Sequence, residues 1–148
     1  MAASPIFALL AGLALLTAGC AERGAEEVAA RRGETPVTAA QAVETFRQIC
    51  VETAPDFAGA AAAMGRAGMV ADPSGVSGFH PELDLAAQIS AAAATRLCAV
   101  EFRTPDSPYD LDRRAMQLRV DPTVANARMR AERIEGARDL YRLELVLG

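Results

Sequence analysis

The sequence predicts an α+β fold, with two N-terminal helices packed on an antiparallel sheet of about four strands. The first sign is a change of period. Between Val43 and Met64 the larger apolar residues recur at helical spacing, whereas from Leu83 onward they alternate with polar ones, as in half-buried strands. The second is the placing of two cysteines, Cys50 on the helical stripe and Cys98 in an alternating run. The third is a thin apolar supply. Of 148 residues 33 are alanine, and residues 20–148 hold only 35 larger apolar or cysteine side chains, enough for one compact domain over 37–148.

Residues 1–19 carry no charge, and the apolar stretch Ile6–Leu16 has the length of a signal-peptide core. It is too short to span a bilayer, which takes about 20 residues. Leu16-Thr17-Ala18-Gly19-Cys20 follows, small residues leading to a cysteine. This resembles the lipobox of bacterial lipoproteins, with Thr17 where that family most often has leucine and no Lys or Arg before the apolar stretch. The resemblance implies cleavage before Cys20, lipid on its sulfur and new amino group, and, with Ala21 next, the outer membrane at its periplasmic face. An ordinary secretory signal cut near Ala21 is the alternative.

From Ala21 to Pro36 there are mixed charges and one large apolar residue, Val28, so residues 20–36 are expected to form a flexible tether. Thr38-x-x-Gln41 then fits a capping box, with Val37 in the staple position, and opens a helix over 39–53. Pro55 ends it. Asp56 is placed to cap a second helix, marked by Phe57, Ala60, Ala61 and Met64 and closing near Gly68. Residues 72–78, rich in turn formers, are expected to be loop.

Leu83, Leu85, Ala87 and Ile89 alternate with polar or small neighbours and predict a strand. Ser90–Ala94 turns the chain into a second strand over about Thr95–Arg103. A helix over 84–94 competes, because the alanine run favours one. A short helix follows around Leu111–Met116. Two further runs, Ala127–Glu132 and Tyr141–Leu147, predict a second hairpin turning at Glu135-Gly136, with a helix over 123–135 as the competing reading.

Three cysteines are an odd count for an exported chain. With Cys20 acylated or cut away, Cys50 and Cys98 remain in an oxidising compartment, and both point toward the core. A Cys50–Cys98 disulfide is expected.

The sequence carries few signs of catalytic chemistry. Gly75-Val76-Ser77-Gly78-Phe79-His80 invites comparison with the G-x-S-x-G elbow, but Phe79 replaces the last glycine and the following element reads as a strand. His80, the one histidine, is expected to pack or hydrogen-bond at the strand start. Glu82 and Asp84 are expected on the strand's solvent face, so no metal site and no cofactor are inferred. The net charge of −4 excludes a general nucleic-acid binder. Arg128, Arg130 and Arg142 are expected to share an exposed sheet face, paired with Glu132 and Glu144.

Phe46-x-x-x-Cys50, Thr53-Ala54-Pro55-Asp56-Phe57, the alanine-rich helix and Cys98 together resemble a group of uncharacterised small exported proteins of proteobacteria. That resemblance covers 43–102 and implies no activity. The expectation is a non-enzymatic envelope lipoprotein, tethered to the membrane through Cys20 and binding a protein or an apolar ligand. The alternative is a small envelope hydrolase or other enzyme whose site is built from residues distant in sequence.

Overall fold

The computed structural model describes residues 31–122, 124 and 126–148. The signal stretch, Cys20 and the tether as far as residue 30 lie outside the described residues. Helix α1 (Ala39–Phe46) runs on into a π-helical turn, Arg47–Val51. Its start has the expected reciprocal cap: the Thr38 hydroxyl accepts from the Gln41 N–H at 3.1 Å, and the Gln41 side chain accepts from the Thr38 N–H at 2.9 Å. Helix α2 spans Ala60–Arg66 and begins later than the sequence suggests. Phe57 takes a positive φ of 58°, and Asp56 closes a turn by accepting from the Ala58 N–H, so it does not cap the helix.

Six strands follow: β1 (Val70–Ala71), β2 (Ser77–Phe79), β3 (Leu85–Ala92), β4 (Thr95–Arg103), β5 (Arg128–Arg133) and β6 (Leu140–Leu147). Helix α3 (Pro108–Ala115) lies between β4 and β5 in the chain, started by the Ser107 hydroxyl, which accepts from the Asp110 N–H, and by Pro108 in its first turn. All strand pairs are antiparallel, in the order β1-β2-β3-β4-β6-β5. The α+β class thus stands, with three α-helices and six strands among the described residues. The four expected strands are β3 to β6, and the helical alternatives over 84–94 and 123–135 give way to β3 and β5. The expected loop supplies part of the extra pair. Gly78 lets β2 pass under α2, since a Cβ there would sit 2.9 Å from the Met64 sulfur. Two strands this short have too few residues to show alternation.

The three helices cover one face of the sheet. Leu85 and Ala87 of β3, Cys98, Val100 and Phe102 of β4, and Tyr141, Leu143, Leu145 and Leu147 of β6 are buried beneath them with Val43, Phe46, Ile49 and Met64. Cys50 is bonded to Cys98, both fully buried, with Cα atoms 5.5 Å apart, and the bridge ties the π-helical turn to the middle of the sheet. Among the described residues no helix is long and apolar enough to cross a membrane.

Residues 31–36, expected to belong to the tether, are instead part of the folded domain. They run along the sheet: the Gly33 N–H donates to the His80 carbonyl, the Thr35 N–H to that of Glu82, and the Asp84 N–H to that of Thr35. Arg31 stacks over the Phe79 ring, 4.8 Å from its centre. Gly33 is required here, because a Cβ would overlap the Glu82 carbonyl group.

Candidate functional site

The other sheet face is polar and laced with ion pairs. Arg130 of β5 stands opposite Glu144 of β6, and Glu132 opposite Arg142. Arg142 also reaches Glu101 of β4, donating through Nε at 2.9 Å. The chain of charges continues to Arg32 of the docked segment, whose Nε forms an ion pair with Asp84 at 2.7 Å, while the other Asp84 oxygen accepts a hydrogen bond from Arg103 at 2.8 Å. Cross-strand pairing with Glu132 and Glu144 is as expected. Asp84 is corrected: it is buried, not solvent-facing, because Arg32 and Arg103 close over it. The sequence hid this because Arg32 read as part of a solvated linker.

Ser77 and His80 do not meet. Three positions apart on extended chain, they leave opposite faces of the sheet. Ser77 is buried in β2, and its N–H donates to Asp72, the residue that closes the turn after β1. His80 accepts from the N–H groups of Glu82 and Leu83 through Nδ1, at 3.2 and 3.1 Å, and so shapes the bend before β3. Its Nε2 side faces the turn at Gly68. Both residues thus serve the fold, as expected for His80. Among the described residues no group of three His, Cys, Asp or Glu side chains could hold a metal ion.

The concave feature that stands out lies elsewhere. A cleft of about 470 Å³ opens between α3 and β5. Phe46 and Leu143 form its floor, Ala115 and Met116 one wall, and Met129 and Ala131 the other. Tyr109 and Met116 flank it at 75% and 71% exposure, large apolar groups left in water. Asp112 and Arg130 complete the rim. Methionines on two sides give the walls flexible, polarisable surface that adapts to an apolar guest.

The site has a simple origin in the sequence. The Ser107 cap and Pro108 fix where α3 starts, and Leu111, 1% exposed, anchors it to the core. One turn later the helix ends at Ala115, so Met116 falls at the terminus, where no neighbour covers it. In the sequence Met116 only marks the end of a short helix, and Tyr109 carries no signal. Their exposure depends on the distance between α3 and β5, for which the sequence carries no local signal.

No family model, curated protein or solved structure matches this chain.

Proposed function

We propose that this chain is a lipoprotein of the bacterial cell envelope, anchored through lipid on Cys20 at the periplasmic face of the outer membrane, whose domain is a non-enzymatic binding module. The observation that carries the binding role is the cleft between α3 and β5, with Tyr109 and Met116 exposed at its mouth. A soluble domain gains nothing in stability from two large apolar side chains in water, whereas a binding surface uses them. The buried Cys50–Cys98 bridge supports an oxidising compartment. The Gly19-Cys20-Ala21 junction supports the lipid anchor. Several acyl chains, at about 0.8 kcal/mol per buried methylene, hold a protein to a membrane far longer than one does.

The test has two arms. In cells, an inhibitor of signal peptidase II should cause the precursor to accumulate, and Cys20→Ser should move the protein out of the detergent phase; a variant that still partitions there removes the lipid anchor from the reading. In vitro, a solvent-sensitive apolar dye should bind the protein, and Met116→Asp should abolish that binding. Dye that binds Met116→Asp unchanged, or does not bind at all, removes the cleft.

A further inference from the structure

We infer that the cleft takes an extended peptide strand, added to the open edge of β5, whose apolar side chains alternate with acidic ones. This deepens the proposed binding role and rests on it.

Hydrogen-bond parity supplies the first step. The Ile134 N–H donates to the Leu140 carbonyl and the Thr104 N–H to that of Asp139. In an antiparallel ladder such pairs recur at every second residue. With the observed registers, β6 bonds to β4 through its odd-numbered residues and to β5 through its even-numbered ones, which face Arg128, Arg130 and Glu132. Met129, Ala131 and Arg133 therefore direct their N–H and C=O groups the other way. Among the described residues no strand lies on that side, since β5 ends the sheet.

The second step is the coincidence of this edge with the cleft. The residues that offer free backbone groups include Met129 and Ala131, whose side chains form one wall, while α3 forms the other. A groove between an edge strand and a helix satisfies an incoming strand in two ways: the ladder extends by main-chain hydrogen bonds, and alternate side chains drop into the groove.

Charge selects the occupant. β5 carries Arg128, Arg130 and Arg133 against one acid, Glu132. Among the described residues neither Arg128 nor Arg133 has an ion-pair partner, whereas Arg130 is held by Glu144. An added strand sets every second side chain on the polar face beside Arg128 and Arg130, where acids are favoured. The same arginines oppose self-pairing of two β5 edges, a common protection of edge strands. The occupant is thus a segment of another protein, apolar on one side and acidic on the other.

The experiment uses the full chain in lipid nanodiscs and a fluorescent synthetic peptide alternating valine with glutamate. Fluorescence anisotropy should show binding, and exchange mass spectrometry should show slowed amide exchange across 128–133. Ala131→Pro removes an outward N–H without touching the β5–β6 ladder and should weaken binding about tenfold. A peptide N-methylated at alternate residues should fail, and one with lysine for glutamate should bind more weakly. Equal binding of the N-methylated peptide overturns strand addition. So does absence of peptide binding while the apolar dye still occupies the cleft, and in that case the binding module survives. Failure of both peptide and dye removes both readings. Self-association that Ala131→Pro abolishes assigns the edge to a second copy instead and also overturns the proposal.

Discussion

Arg130 donates to one oxygen of Glu144 through Nε, at 2.8 Å, while Glu144 is 3% exposed and Arg130 remains largely in water. The pair is unequal in its cost of breakage. Arg130→Ala leaves a buried carboxylate with only Arg142 at 3.5 Å, whereas Glu144→Leu leaves an arginine that water can solvate. Arg130→Ala is therefore expected to be the more destabilising change, and Glu144→Leu to be close to neutral. Urea midpoints of the two variants and of the double variant check this order. Equal losses would mean that the carboxylate is not effectively buried.

The Cys50–Cys98 bridge closes a loop of 48 residues. On the chain-entropy account it stabilises the domain by about 4 kcal/mol, a large share of the total for a core so rich in alanine. Reduction, or the double change to alanine, should lower the urea midpoint accordingly. Alkylation before and after reduction, read by mass spectrometry, should add two labels within 37–148 only after reduction.

Arg32 has a side chain 14% exposed against Asp84 at 8%. The contact is an ion pair in which Asp84 Oδ1 makes no hydrogen bond, and its loss leaves a buried carboxylate to Arg103 alone, so Arg32→Ala should destabilise the domain by about 1–3 kcal/mol. Gly33→Ala should act alike by forcing residues 31–36 off the sheet. Protease digestion gives the readout: cleavage between 31 and 36 should be slow in the parent and fast in both variants. Fast cleavage in the parent would return this segment to the tether.

Asp72 anchors the turn between β1 and β2. Burial by itself would raise its carboxyl, but the Ser74 hydroxyl and the N–H groups of Ser77 and Gly75 outweigh that and hold it below 3.8. A carboxyl depressed on folding adds stability that is fully present above its unfolded value and is lost as pH falls through its folded one. Asp72→Asn should thus be less stable than the parent at neutral pH, by under about 1 kcal/mol. The gap should close as pH falls below 3.8. Chemical denaturation at neutral pH and in acid compares them, and a gap independent of pH would assign the turn's stability to geometry alone.

Much of the fold was legible because alternation and capping are local signals. Leu85 to Ile89, Cys98 to Phe102 and Tyr141 to Leu147 each set their larger apolar side chains on the core face, so a period of two shows in the sequence even though Ala86, Ala99 and Glu144 of the other face are buried as well. The cap at Thr38 and the turn at Gly136, where φ is +77°, are likewise written in adjacent residues. The site was less legible. Its walls come from residues 109–116 and 129–131, brought together by the crossover that seats β6 between β4 and β5.

By itself the sequence determined the α+β class, the four main strands and the two cysteines that pair, because periodicity, turn chemistry and cysteine count act over short range or by elimination. Only the tertiary structure decided that Arg32 belongs to the folded domain, that Asp84 is buried and that β5 is left as an open edge beside an apolar cleft. Those depend on strand order and on how close α3 comes to β5, which are set by the packing of the whole core and by no single stretch of chain.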